Sequence, residues 1–332
     1  MLKKLFYLSA GSRRWGTGHL RRSAELIQVL RQKGLNIDAA ALVPDAGEMK
    51  KLSGFTNEYD RQVQSLVKIG AVKADGIVID VHSDFQPELF SWLEKQRLSA
   101  VALDWYYKTG EFVVAVANLR GGAEALKYAI IRREFHDARM KRSASVNTYN
   151  AVAVIGGGDN RNHIDRICGI FAEDSRFAGK KIVTVLGPLA NSMFTGHSGV
   201  SAGTVTILRN PENIADIMAG ASVGITNGGT SLMEFTMLGV PTIIFPQSQE
   251  EENFIGPFLE YGCAVTGSLD KKKFIEQIME LWENKMVLTI MSERAKELID
   301  GQGTERIAAL ILKTFFQDGH EIKVSCACHK GG

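Results

Sequence analysis

Gly228-Gly229-Thr230-Ser231-Leu232-Met233-Glu234, followed by Leu238-Gly239-Val240-Pro241, is the stretch whose reading decides the fold. Before it, Ser222-Val223-Gly224-Ile225-Thr226 has the length and composition of a buried strand. After it, Pro241-Thr242-Ile243-Ile244-Phe245 is a second run of the same kind. Between them a Gly-Gly turn leads into a helical pattern, so the segment reads strand, turn, helix, strand. Glycines at such a turn let a ligand's phosphates approach the backbone, and the first-turn N–H groups of the helix face an anion placed there. Glu234 falls about one turn in, where a carboxylate reaches ribose hydroxyls. The same residues also fit an ordinary tight turn with a solvated Glu, and one glycine-rich turn does not choose between the two.

Working outward, the alternation of apolar strands and helical patterns continues through most of the chain. Strands are predicted at 4–9, 38–42, 76–80, 100–104 and 113–117, with helices at 19–33 and 87–96. A polar stretch at 134–150 reads as a linker. Strands resume at 151–155, 181–186, 204–208, 222–226, 241–245 and 264–266, and helices close the chain at 271–283, 286–299 and 304–316. This predicts an α/β protein of two Rossmann-like, doubly wound domains, 1–143 and 150–303. A helix at 304–318 packs back on the first domain, and a tail at 319–332 follows. Strand C-terminal ends then face a central cleft, the edge at which such sheets bind ligands.

Composition limits the function classes. The 332 residues are 45% hydrophobic and 23% charged, as in an ordinary globular protein, and the net charge of +2 is too small for a nucleic-acid or membrane-surface binder. No apolar run reaches the length of a membrane span, and the basic-then-apolar start reads as a first strand rather than a signal peptide. Cys168 and Cys263 lie in apolar contexts and read as reduced core residues, which points to a reducing cytoplasm. Cys326 and Cys328, with His320, do not have the usual spacing of a metal site and read as tail.

Further constellations mark strand ends. Gly16-Thr17-Gly18-His19-Leu20-Arg21-Arg22 follows the first strand. His19 falls in the first turn of a helix, where the dipole favours a neutral ring that can accept a proton. A general base and a histidine that merely packs the turn both fit. Gly156-Gly157-Gly158-Asp159 occupies the matching turn of the second half and borders a diphosphate or simply turns the chain. Gln249 lies in the polar loop 246–253 after a strand, where amides bind sugar hydroxyls or a base edge. Asp80, His82, Asp84 and Asp104 stand at strand ends of the first half, as sugar-positioning carboxylates or as turn residues. The chain has no DxD metal clamp, so no metal is expected, and no other cofactor is implied. A P-loop GK[ST] and a dinucleotide GxGxxG are also missing, which disfavours nucleotide triphosphate hydrolysis and nicotinamide chemistry.

These residues resemble the UDP-sugar hydrolases of pseudaminic acid biosynthesis, the PseG family, relatives of the peptidoglycan N-acetylglucosaminyltransferase with its two-domain GT-B fold. Residues 16–22 look like that family's GxGHxxR motif, and Tyr128-Ala129-Ile130-Ile131-Arg132-Arg133-Glu134-Phe135 looks like its YALxREEF segment. Residues 156–159 look like its GGxD turn, residues 212–218 and 229–234 resemble its nucleotide half, and Gln249-Glu250 stands near its Asn-Gln-Glu. The resemblance spans roughly residues 4–266 and implies a GT-B fold with a UDP-sugar as small-molecule partner. By it, His19 is the base that activates water, and Gly16, Gly18, Arg22, Asp80, Asp104 and Arg132 bind the sugar. Gly157, Gly158, Asp159, Gly228, Gly229, Thr230, Ser231, Glu234 and Gln249 bind the nucleotide, with Glu234 on the ribose. The implied reaction splits a UDP-linked diacetamido-trideoxyhexose at the anomeric carbon with inversion. The alternatives are a GT-B glycosyltransferase with an organic acceptor and a sugar-nucleotide binding protein without turnover. Departures are Arg13-Arg14-Trp15 before the first motif, Asp80-Val81-His82 in place of Asp-His, Asp104-Trp105 in place of paired acids, and the extension beyond residue 270.

Overall fold

A computed structural model describes residues 3–12, 16–109, 111–117, 122–142, 147–155, 163–187 and 204–316, apart from the side chains of Phe55 and Thr204. The chain divides into two compact units, Met1–Arg132 with Gly301–Gly332, and Arg133–Asp300.

The first unit runs β1 (Lys4–Ala10), α1 (Gly18–Gln32), β2 (Asn36–Leu42), α2 (Ala46–Lys51), β3 (Arg61–Val63), β4 (Gly76–Asp80), α3 (Gln86–Gln96), β5 (Ala100–Leu103), β6 (Val113–Ala117) and α4 (Ala123–Leu126). Its strands form one parallel sheet in the order β3-β2-β1-β4-β5-β6. Phe6, Leu8, Ile77, Ile79, Leu89, Leu93 and Ala102 pack together in its core. Strands covered on both faces carry continuous apolar runs, which is why β1 and β4 are almost wholly buried. β3 escapes prediction because Arg61-Gln62-Val63 is three residues of mostly polar edge.

The second unit begins with α5 (Arg133–Arg142), then β7 (Tyr149–Val154), α6 (His163–Glu173), β8 (Lys181–Leu186), β9 (Thr204–Arg209), α7 (Ile214–Ala219), β10 (Ala221–Thr226) and α8 (Thr230–Leu238). It continues with β11 (Thr242–Ile244), α9 (Gln249–Phe254), α10 (Gly256–Glu260), β12 (Ala264–Thr266), α11 (Lys271–Glu283) and α12 (Lys285–Leu298). Its parallel sheet has the order β12-β11-β10-β7-β8-β9. Numbered from β7, that is the order of the first sheet read from the other edge. Both units are therefore Rossmann-like, with the strand order reversing between β1 and β4 and between β7 and β10.

The stretch expected as a linker at 134–150 carries most of α5, and the chain divides at Arg132/Arg133 and Asp300/Gly301. Only Phe135 and Ala138 of α5 are buried, so its sequence carries little apolar periodicity. Arginines hold it instead. Arg139 donates to the carbonyls of Ile299 at 3.1 Å and Lys296 at 3.3 Å, and Arg142 to those of Ala221 at 2.9 Å and Ala219. Burial lowers the Arg142 guanidinium to about 10.

The last helix, α13 (Gly303–Phe316), belongs to the first unit. Arg306 donates to the Lys127 carbonyl at 2.7 Å, and Glu305 pairs with Lys33 at 2.7 Å. A Cβ on Gly303 would lie 2.1 Å from the Ala129 carbonyl oxygen, and one on Gly76 would lie 2.2 Å from the Phe315 ring. The backbone contact at Gly303 cannot yield as a flexible side chain would. Gly303→Val is therefore expected to destabilise the first unit by about 1–3 kcal/mol. Urea unfolding checks this, and an unchanged midpoint would contradict the tight seating of α13.

Candidate active site

The reversal of strand order in the first unit brings the end of β1 and the start of α1 beside the end of β4. Register pairs Ser9 with Asp80. After β1 the chain turns at Gly16, where φ is +73°, a conformation that glycine adopts without strain. Gly18 opens α1. His19, Arg22 and Ser23 follow at i, i+3 and i+4, so they share one face of the helix, and all three are buried.

That face closes on Asp80, which is 0% exposed. Its Oδ1 accepts from His19 Nδ1 at 2.7 Å and from Arg22 Nη2 at 2.5 Å. Its Oδ2 accepts from Arg22 Nε at 2.8 Å and from Ser23 Oγ at 2.8 Å. Behind Ser23, Tyr7 donates its hydroxyl to Ser23 Oγ at 3.1 Å. Arg22 extends the network through Nη1 to Asp104 Oδ2 at 2.8 Å. Asp104 lies just past β5 in the left-handed region, with φ of +50°, a conformation Asp tolerates better than most residues. Gln86 secures it by donating to the Asp104 carbonyl at 2.8 Å and accepting from the Tyr106 N–H at 2.9 Å.

The charges follow from this geometry. Burial alone would push the Asp80 carboxyl up, but the Arg22 guanidinium, and after it His19, hold it well below the usual carboxylate range. Burial opposes the charge on Arg22, and Asp80 and then Asp104 outweigh it, so the guanidinium stays protonated. Tyr7 is kept in its phenol form by burial and by the nearby Asp80 charge. An ionised carboxylate only accepts, so the hydrogen on His19 sits on Nδ1 and points to Asp80. The basic lone pair of the neutral ring is then at Nε2. The Arg22 Nη2 contact with the same Nδ1, 3.1 Å, sets a donor beside a protonated nitrogen and is a packing contact.

The structure thus brings His19, Arg22, Asp80 and Asp104 together. Arg22, Asp80 and Asp104, expected on substrate, are 2%, 0% and 3% exposed; Arg22 pairs with both carboxylates, and Asp80 also holds His19. Gly16 and Gly18 shape the turn, and Arg132 stands half-buried at the end of the first unit. Ser23 and Tyr7 belong to no motif of the sequence, although a serine four residues after His19 on an apolar helix face is a usable signal.

In the second unit, the turn after β10 leads to α8. Gly229 is its N-cap residue, no side chain caps it, and no acidic residue stands in its first turn. Gly229, Thr230 and Ser231 are half-buried. Gly228, expected at the nucleotide, is tied to Glu251. Its N–H donates to Glu251 Oε2 at 3.2 Å, and a Cβ there would lie 2.7 Å from the Glu251 Cβ. Glu251 also accepts from the Gln247 N–H at 2.7 Å and from the Asn227 amide. It ties the turn to the loop after β11, a role the sequence reading passed over beside Gln249-Glu250. Glu234 is buried at 3% exposure, one turn into α8, and Gln249 is exposed at the start of α9. Gly157, Gly158 and Asp159 lie outside the described residues, as do Arg13-Arg14-Trp15 and the Cys326–Cys328 tail. Cys168 and Cys263 are buried and unbridged, with burial pushing the Cys263 thiol up to about 12. Among the described residues, no cluster of three or more acidic, His or Cys side chains could hold a metal, and no helix is long and apolar enough to cross a membrane.

No protein-family model matches the chain. It is 23% identical over 290 residues to the uncharacterized protein MJ1062 of Methanocaldococcus jannaschii, covering 77% of this chain and 58% of that one. It is 20% identical over 200 residues to the spore coat polysaccharide biosynthesis protein SpsG of Bacillus subtilis, 59% of each. The chain spans under two thirds of the length of both relatives. Among solved structures it is similar to the UDP-GlcNAc 2-epimerase of Neisseria meningitidis bound to UDP-GlcNAc, with TM-score 0.60, 13% identity and coverage of 93% and 100%. It is similar to Acinetobacter baumannii MurG, with TM-score 0.61, 13% identity and coverage of 94% and 99%. The spinosyn rhamnosyltransferase SpnG gives TM-score 0.65 at 10% identity, with coverage of 92% and 99%. With its two Rossmann-like sheets, the chain has the GT-B fold.

Replacing Asp80 leaves Arg22 buried with one carboxylate fewer, so Asp80→Asn is expected to destabilise the first unit by about 3–5 kcal/mol. The folded pKa of Asp80 lies below its unfolded value of about 3.9. Its contribution is therefore complete above about pH 4 and is lost as pH falls from there. Thermal melts across pH 3–7 check both points. A variant as stable as wild type, or with the same acid dependence, would contradict the assignment.

Proposed function

We propose that the chain is a sugar-nucleotide hydrolase in which His19 activates a water at the anomeric carbon of a UDP-linked amino sugar. The observation that carries this reading is the His19–Asp80 pair, a histidine whose Nδ1–H is held by a buried, ionised carboxylate at a strand-order reversal. Such a ring accepts a proton at Nε2 and is stabilised as imidazolium by the carboxylate behind it. In the proposed step, water loses its proton to His19 Nε2 and its oxygen bonds to the anomeric carbon. The bond from that carbon to the phosphate oxygen breaks, and UDP leaves with the electron pair. The uncapped start of α8, with Gly229, Thr230 and Ser231, suits the diphosphate, and Glu234 suits the ribose. The fold shared with an epimerase bound to UDP-GlcNAc and the similarity to SpsG support a sugar-nucleotide substrate. The resemblance to the pseudaminic acid hydrolases supports a diacetamido-trideoxyhexose as the sugar.

A second reading, transfer of the sugar to an organic hydroxyl, is favoured by the likeness to the rhamnosyltransferase. The base would be the same and only the oxygen it deprotonates would differ.

Nucleotide release from a panel of sugar nucleotides, with and without acceptors, tests both. His19→Ala is expected to lower kcat by about 10²–10⁴-fold, with UDP affinity unchanged in calorimetry. Release that needs an acceptor favours transfer. A His19→Ala variant with near-wild-type release would defeat both readings.

A further inference from the structure

His82 stands two residues beyond Asp80, and its ring lies edge-on to His19, with centroids 6.3 Å apart and planes at 79°. Its side chain is 24% exposed, against 10% for His19. The two imidazoles are held in opposite senses. His82 Nδ1 accepts the backbone N–H of Asp84 at 3.3 Å, capping the short turn Ser83–Phe85. With that lone pair in use, the neutral ring carries its hydrogen on Nε2. The Asp84 carboxylate lies 3.8 Å from the same Nδ1, beyond hydrogen-bond reach. His82 Nε2 therefore carries a hydrogen in either state, whereas neutral His19 carries its hydrogen on Nδ1 and its lone pair on Nε2.

One end of β4 thus holds a proton acceptor and a hydrogen-bond donor side by side. An attacking O–H group needs both. Its hydrogen goes to a base, and an anchor on the lone pair not used in attack fixes the oxygen's direction. We propose that His82 is a substrate-contacting residue whose Nε2–H holds the attacking oxygen while His19 deprotonates it. The inference rests on the sugar-nucleotide reading and adds a residue to it. The proton passes from the oxygen to His19 Nε2, one lone pair forms the bond to the anomeric carbon, and the other accepts the hydrogen bond from His82.

Two substitutions separate this role from simple capping of the turn. His82→Gln keeps an N–H donor at the reach of Nε2, and His82→Asn keeps an acceptor at the place of Nδ1 for the Asp84 N–H. The expected result is a kcat about 100-fold lower in His82→Asn, activity within a few-fold of wild type in His82→Gln, and equal UDP affinity in all three proteins. Full activity in His82→Asn, or a His82→Gln as defective as His82→Asn, would overturn the proposal while the sugar-nucleotide reading stood. A wild-type protein that binds UDP but releases it from no donor would overturn that reading, and this proposal with it.

Discussion

A carboxylate buried to the last oxygen, with four protein donors around it, holds the first unit's strand ends together. Asp80 lies in a sheet of apolar side chains, where an unpaired charge would be prohibitively costly. Arg22 makes it tolerable by a two-pronged contact, and Ser23 and His19 complete its acceptor sites. Each partner gains from the exchange. Arg22 is neutralised on one side by Asp80 and on the other by Asp104, Ser23 is oriented by Tyr7, and His19 is left with one tautomer. The network is thus a structural element and a chemical one, because the interactions that make the buried charge bearable also aim the basic nitrogen.

Topology explains why such a network forms there. In both units the strand order reverses beside the first strand, and the loops on either side of that reversal part. In the first unit the parting loops carry His19 and Asp80. In the second, the corresponding turn carries Asn227, Gly228 and Gly229, braced by Glu251 rather than by an arginine. One strand order therefore supports a charged, histidine-bearing strand end in one unit and a glycine-rich helix start in the other.

Much of this is legible in the sequence, for physical reasons. Parallel strands covered on both faces must be short apolar runs, so 76–80 and 181–186 announce themselves. His19, Asp80 and Asp104 stand out as polar residues at the ends of such runs. What the sequence does not disclose is how they pair. Asp80 follows His19 by 61 residues, and only the crossover through β2 and β3 brings them together. Arg22 reads as a cation available to a ligand until the fold surrounds it with two carboxylates. The helix α5 is hidden because arginine-to-carbonyl bonds replace the apolar stripe that periodicity detects. Glu251 is hidden in a run of three glutamates, of which only the fold selects one.

The chemistry proposed for His19 depends on the side of its ring that carries the hydrogen. Nitrogen-15 NMR of the imidazole side chains, with His19→Gln as the assignment control, reads this directly. Neutral His19 is expected to be protonated at Nδ1 and bare at Nε2, and this preference is expected to weaken in Asp80→Asn. A neutral ring protonated at Nε2 in the wild-type protein would contradict it, since no basic nitrogen would then face away from Asp80.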